Sequence, residues 1–354
     1  MGYPRLEIDL KKIRHNAREL FTQCSKAGIH IAAVTKVFCG EAKIAQVLVE
    51  EGITMLADSR MQNIKKLSNL SVPKMLLRIP MLSELEDLVE YVDVSFQSEI
   101  DTIRKVSEIA QKQNKIHDIM LMVDLGDLRE GCWEDEVQTI VEAAMALKGV
   151  RLIGIGANFG CYGGVIPERH TLEKLVGIKE EIENRWGLEL EFISGGNSNS
   201  LHLLWENQIP KGINQLRLGE PIVLGKEDVY NVPIDGLYQD AFRLFGQVVE
   251  IKEKPSVPIG KRGIDAFGNV PVFTDRGLRK RAIVAMGRQD ILLDGIQPIE
   301  KEMIILGASS DHLLVDIADA KITKKIGDIL EFTMSYGALL AAMTSAYVHK
   351  VFIE

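Results

Sequence analysis

The sequence predicts an α/β fold: a closed (β/α)8 barrel of eight parallel strands followed by a C-terminal, mainly antiparallel β domain. Three observations predict it. From about residue 30 to 220, short apolar runs alternate with longer stretches of helical period. The runs number eight, the count that closes such a barrel. After about Gly225 the texture changes to short, β-branched runs separated by Gly, Pro and Asp.

The apolar runs are, in order, IHIAAV, TMLA, KMLLRI, VDVSF, IMLMVDL, RLIGIGANF, LEFIS and INQLRLG. Between them lie EAKIAQVLVEEG, SRMQNIKKLSNL, SEIDTIRKVSEIAQKQ and HTLEKLVGIKEEIENRWG, with apolar residues three and four apart and charges on the other face. No GxGxxG follows the first run, which argues against an open, doubly wound sheet. The later runs FRLFGQVVEIKEK, RAIVAMG, EMIILG and HLLVDIAD read as the β domain, and SYGALLAAMTSAYVHKVFIE as one helix and a last strand. We place the barrel over residues 1–232 and the β domain over 233–354, with a first strand over residues 5–10 that is open to pairing with the β domain.

The chain has 354 residues, 46% of them hydrophobic and 26% charged, which excludes wholesale disorder. Its 42 Lys and Arg against 50 Asp and Glu give a net charge of -8, which argues against nucleic acid as the main partner. Cys24, Cys39, Cys132 and Cys161 are too few and too scattered for a disulfide framework, and none forms a CxxC unit. The opening MGYPRLEIDLKKIRHN shows no apolar signal region, and Gly2 lacks the Ser or Thr of a myristoylation signal. No apolar run approaches the ~20 residues that span a bilayer. The expectation is a soluble, cytoplasmic protein with no membrane or metal partner.

A barrel's active site lies where its strands end. The polar residues at those ends are Thr35-Lys36, Asp58-Ser59, Arg78, Gln97-Ser98, Asp124 with Arg129 beyond it, Asn158, Ser194 to Ser198, and Arg217 before Gly219. Lys36 stands out because its strand, AAVTK, is apolar on both faces, where lysine is rarely left unless paired or used. Such a lysine is suited to condensing with an aldehyde cofactor or a substrate carbonyl, and a salt bridge to Asp58 is the plainer reading. SGGNSNS can gather backbone N–H groups around an anion, or serve simply as a Gly-rich turn with a helix cap. Arg217 can meet a carboxylate or a cofactor ring nitrogen, or form an internal ion pair with Glu220 or Asp124.

Together these residues resemble the alanine racemase family, pyridoxal-phosphate enzymes with a barrel and a C-terminal β domain. EIDLKKIRHN is similar to the family's opening, AAVTKVFCG to the strand whose lysine carries the cofactor, and ADSRMQNIKKL to the second strand and helix. The resemblance implies that Lys36 binds pyridoxal 5'-phosphate, that Arg129 in VDLGDLREG lies near cofactor and substrate, and that Asn197 and Ser198 in GNSNS bind the phosphate. It implies that Arg217 in LRLGEP faces the pyridine nitrogen and leaves it unprotonated, with backbone N–H groups of Gly219 and Glu220 on the phosphate. Asn158 stands where the family has a histidine on the cofactor side, and Phe352 where it has a phosphate-contacting tyrosine.

The stretches VTKVFCG, LGDLREG, CYGGVIP, SGGNSNS, VPIG, DAFG and ASSDHL look like a subgroup of predicted amino-acid racemases, which implies a basic substrate such as ornithine. The resemblance further implies a homodimer with shared active sites and two bases, Lys36 on one face of the substrate and a partner's tyrosine on the other. PIGKRGIDAFG has no tyrosine where the family carries it. Asp265 is the favoured replacement, with Lys261, Cys161 and Tyr162 as alternatives. Two other functions suit the same scaffold: an amino-acid lyase or decarboxylase, and a non-catalytic pyridoxal-phosphate-binding regulator.

Overall fold

The computed structural model describes residues 2–354 as two compact units, one of Lys11–Gln239 and one of the N-terminal residues through Leu10 with Asp240–Glu354. The chain enters through β1 (Arg5–Asp9) and α1 (Leu10–Lys26). α1 buries Ile13, Asn16, Ala17, Leu20 and Cys24, the spacing of one helical face.

The first unit closes as the expected barrel, in the order β2 (His30–Val34), β3 (Met55–Asp58), β4 (Lys74–Leu76), β5 (Val94–Gln97), β6 (His117–Met122), β7 (Val150–Gly156), β8 (Phe192–Asn197) and β9 (Gln215–Leu218). All neighbours are parallel, and β2 closes the ring by pairing with both β3 and β9, so that Ala32 lies beside Met55 and beside Arg217. Strands covered on both faces are apolar throughout. Every residue of β3, β5 and β9 is buried. Ala32, Val34, Met55, Ala57, Met75, Val94, Phe96, Met120, Met122 and Ile153 form one buried cluster. Gly154 is required on β7, since a Cβ there would sit 2.2 Å from the Phe192 carbonyl oxygen.

The helices that follow the strands are α2 (Ala42–Glu50), α3 (Met61–Lys66), α4 (Leu85–Tyr91), α5 (Ile100–Lys112), α6 (Val137–Met145), α7 (Arg169–Trp186), α8 (Leu201–Trp205) and α9 (Glu220–Leu224). The long α7 stops at Gly187, whose φ of 65° makes the left-handed turn that ends many helices. The unit extends to Gln239 rather than ending after residue 232. Its last stretch is tied down by buried Asn16, which donates to the Tyr238 carbonyl at 2.8 Å and accepts from the Tyr238 N–H at 2.8 Å.

The other unit is a sheet of β10 (Phe242–Pro255), β11 (Leu278–Val284), β12 (Ile296–Pro298), β13 (Ile304–Ala308), β14 (Leu313–Asp316) and β15 (Ile329–Met334) in the order β12-β15-β10-β11-β14-β13, with antiparallel neighbours. It ends in α10 (Tyr336–Thr344), whose first turn is capped by Ser335, and β16 (His349–Ile353). β1 belongs to this sheet, antiparallel to β10 and parallel to β16. Between β10 and β11, residues 256–277 form a long loop without strand or helix. Its base is closed by the Ser256 N–H donating to the Gly277 carbonyl at 2.9 Å.

Candidate active site

The C-terminal ends of the barrel strands carry the groups able to do chemistry. β2 runs into Thr35, whose hydroxyl donates to Asp58 Oδ2 at 2.5 Å, and then into a tight 3-10 turn that begins with Lys36. Asp58 also accepts the Arg60 N–H at 2.9 Å and the Asn63 amide at 3.1 Å. It thereby serves to join β2 and β3. Burial raises the pKa of Asp58, against those hydrogen bonds.

Arg217 lies inside the barrel, 3% exposed. Its Nη1 donates to Ser194 Oγ at 2.6 Å, and its Nη2 to the Ala157 carbonyl at 2.7 Å and to Asn158 Oδ1 at 3.3 Å. Its guanidinium carbon stands 5.0 Å from the centre of the Phe96 ring, a cation–π geometry. None of these partners is a carboxylate, so neither Glu220 nor Asp124 neutralises it. Burial lowers its pKa to about 10, and it remains a cation at neutral pH. Beside it, Asn158 keeps a buried Nδ2 with no partner.

On the face of β5 and β6 turned toward α5 and α6, Ser95 Oγ meets His117 Nε2 at 2.9 Å and accepts from Gln97 Nε2 at 2.8 Å. Gln97 Oε1 is buried and unpartnered. Burial lowers the His117 pKa to about 4, which keeps the imidazole neutral.

The loops after β8 and β9 meet through the Gly219 N–H, which donates to Ser198 Oγ at 3.3 Å. Gly196 has a φ of 111°, and a Cβ there would lie 2.6 Å from Ser200 Oγ and 2.9 Å from the Phe159 ring. Only glycine fits this crowded, left-handed position. Asn197 caps the following turn by accepting the Asn199 N–H at 3.2 Å. Glu220 begins α9, and burial raises its carboxyl to about 7. Asp228, which the sequence did not single out, is raised to about 8 by burial and by Glu220 and Glu227, with Ser198 and Lys36 also in its surroundings. Its Oδ1 is buried without a partner.

On the far side of the mouth, Arg129 sits in the loop after β6, paired to Glu130. The loop after β7 is pinned by buried Asp127, which accepts the N–H groups of Gly160 at 2.9 Å and Gly163 at 3.1 Å. That loop presents exposed Cys161, whose Sγ lies 3.1 Å from Asn197 Nδ2. The barrel therefore brings Lys36, Arg129, Asn158, Asn197, Ser198, Arg217, Gly219 and Glu220 to one set of strand ends.

Asp265, Lys261 and Phe352 belong to the other unit. Asp265 Oδ1 accepts the N–H groups of Phe267 at 2.9 Å and Asn269 at 2.8 Å. Those N–H groups, led by that of Asn269, hold its carboxyl below the usual range, opposite to the tuning a general base at neutral pH requires.

Residues 8–225 match the family model described as the N-terminal domain of alanine racemase. The chain is 46% identical over 349 residues to an ornithine racemase of Acetoanaerobium sticklandii, covering 98% of this chain and 99% of that protein. It is also 46% identical over 354 residues to a lysine racemase of Thermotoga maritima, covering 99% of each. Among solved structures, alanine racemase from Bartonella henselae with covalently bound pyridoxal phosphate superposes with a TM-score of 0.75 at 17% identity, over 100% of both chains. The chain belongs to the alanine racemase family of pyridoxal-phosphate-dependent amino-acid racemases.

Proposed function

We propose that this enzyme racemises basic amino acids, lysine and ornithine above all, with Lys36 as the residue that carries pyridoxal phosphate and moves the α-proton on one face. The observation that carries the reading is the buried Arg217, a cation with only neutral partners, beside an amide whose N–H groups are unpartnered. A buried charge with no hydrogen-bonded carboxylate is costly, and its retention points to a ligand that uses it. The donor set fits the cofactor: an amine at one strand end, a guanidinium that stays protonated, and a Ser-Gly cradle where the last two loops join.

Pyridoxal phosphate, when bound, draws the electron pair of the substrate's α C–H bond into its ring and makes that proton removable. The chain's residues do the rest. Ser198, Asn197 and the N–H groups of Gly219 and Glu220 would hold the phosphate, and Glu220 and Asp228, with carboxyls raised to about 7 and 8, bring less negative charge to that cradle than ordinary carboxylates. Arg217 would donate to the ring nitrogen and, being unable to give up its proton, leave that nitrogen unprotonated. Arg129 would orient the substrate or cofactor from the loop after β6. Lys36 Nζ accepts or returns the α-proton on its side.

The basic substrate rests on the two relatives named ornithine and lysine racemase, each matched over nearly its whole length. We also assign the enzyme to a homodimer in the cytoplasm. Exposed Leu128, Trp133, Tyr162 and Tyr230 rim the barrel mouth, and Ile259 and Val272 in the 256–277 loop are 90% and 93% exposed, apolar surface suited to cover by a second copy. All four cysteines are free, as suits a reducing compartment. Among the described residues no helix is long and apolar enough to cross a membrane.

Chiral chromatography of purified enzyme with pyridoxal phosphate and separate L-lysine, L-ornithine, L-arginine and L-alanine tests the reading. D-Lysine or D-ornithine should form fastest. Release of carbon dioxide or ammonia without a D-isomer would replace racemisation with the lyase or decarboxylase alternative.

A further inference from the structure

We propose that Cys161 is the second base, acting on the face of the substrate opposite Lys36. The proposal rests on the racemase reading above and assigns the role that the missing tyrosine leaves open.

Position is the first argument. Lys36 follows β2 and Cys161 follows β7. The short way round the barrel between them runs through β8 and β9. Arg217 stands on β9, so a ring held against Arg217 has the amine on one flank and the thiol on the other.

The surroundings of the sulfur are the second. Asn197 Nδ2 donates to it at 3.1 Å. The Arg129 guanidinium lies within hydrogen-bonding reach of it. One amide donor and one guanidinium face the sulfur, and the loop leaves it exposed. Cys24 and Cys132 are in the opposite setting, buried and pushed up to about 12.

The third argument is that the place is prepared for a ligand. Asn158 is 9% exposed, its Oδ1 accepts from Arg217, and its buried Nδ2 has no partner, leaving its N–H groups for an acceptor bound beside Arg217. Asp127 fixes the backbone on both sides of Cys161, which aims the thiol rather than leaving it on a free loop.

In the direction Cys161 initiates, the α C–H bond breaks and an S–H bond forms. The electron pair stays on the substrate carbon and its conjugated system until the Lys36 ammonium delivers a proton to the other face, leaving a neutral amine. The reverse reaction exchanges the two roles.

The test compares wild type, Cys161→Ala and Cys161→Ser, each loaded with pyridoxal phosphate, on D- and L-lysine in deuterated water. Cys161→Ala should lose racemisation by about 10²-fold or more. It should still exchange the α-proton of the enantiomer that faces Lys36, without inversion, and lose exchange of the other. In apoprotein at neutral pH, iodoacetamide should alkylate Cys161 ahead of Cys24 and Cys132, and Arg129→Ala should slow that labelling. A Cys161→Ala enzyme that binds cofactor and racemises within threefold of wild type overturns the proposal, as does equal loss of exchange from both enantiomers. If Cys161→Ala fails to load cofactor, Cys161→Ser carries the comparison by the same criteria. Failure of the wild type to racemise any amino acid tells instead against the racemase reading.

Discussion

The barrel mouth and the β unit treat their polar side chains differently. In the β unit the groups that look chemical are saturated. Asp265 binds two backbone N–H groups, Glu300 pairs with Lys324 and accepts the Ile322 N–H, and Arg279 spans Asp316 and Asp319. Among the described residues its unmatched buried atoms are the guanidinium Nε atoms of Arg5 and Arg281, each of which engages a partner through Nη2. In the barrel unit the unmatched atoms among the described residues are Asn158 Nδ2 and Asp228 Oδ1 at the mouth, Arg78 Nε just past β4 and the side-chain oxygens of Gln97 on β5 and Gln215 on β9, and Arg217 is buried with only neutral hydrogen-bond partners. Each such group costs about 1–3 kcal/mol and persists where a ligand or reaction uses it. The sequence shows which residues are polar; the folded chain shows which of them are left waiting.

The largest expected break in this contrast comes from Arg217→Ala. It removes the cation and leaves the Ser194 hydroxyl, the Ala157 carbonyl and the Asn158 amide without their donor. Turnover should fall on the order of 10²-fold, and thermal unfolding should come earlier, since each stranded group costs about 1–3 kcal/mol. Retention of activity with only a stability loss would mark Arg217 as structural.

A pH series on Asp228→Asn sharpens the comparison further. The Asp228 carboxyl is raised to about 8 in the folded chain, whereas in an unfolded chain aspartate titrates near ~3.9. The folded state therefore holds a proton that the unfolded state has lost, so this contribution to stability is full below about 4 and is lost as pH rises through about 8. Melting curves of apoprotein from pH 5 to 9 should fall more steeply for wild type than for Asp228→Asn. Identical slopes would remove Asp228 from the buried acid cluster.

The smallest effect is expected from Asp265→Asn. The carboxyl organises its own loop and is held low, so its loss should reduce racemisation far less than Cys161→Ala does. A loss as large as that of the cysteine variant would return the second base to the β unit.

Much of this was legible in the sequence. Strands buried on both faces are continuous apolar runs, so all eight barrel strands and their order could be read, and the strand-end rule then placed Lys36, Asn158, Asn197, Ser198 and Arg217. The three-residue β12 was too short to carry a period. Asp127 and Asp228 were not legible, because an acidic residue in a loop has the same pattern whether it is solvated or buried against another loop's backbone. The environment of Cys161 was hidden for a related reason: Arg129, Asn197 and Cys161 lie on three separate loops, and only closure of the barrel gathers them.

The account turns on Lys36 as the residue that holds the cofactor. Reduction of the pyridoxal-phosphate-loaded enzyme with borohydride, followed by digestion and mass spectrometry, reads this directly. The account predicts the pyridoxyl group on the peptide containing Lys36, with labelling and turnover both lost in Lys36→Ala. A pyridoxyl group on Lys226, Lys261 or any other lysine, with Lys36 unmodified, would contradict it.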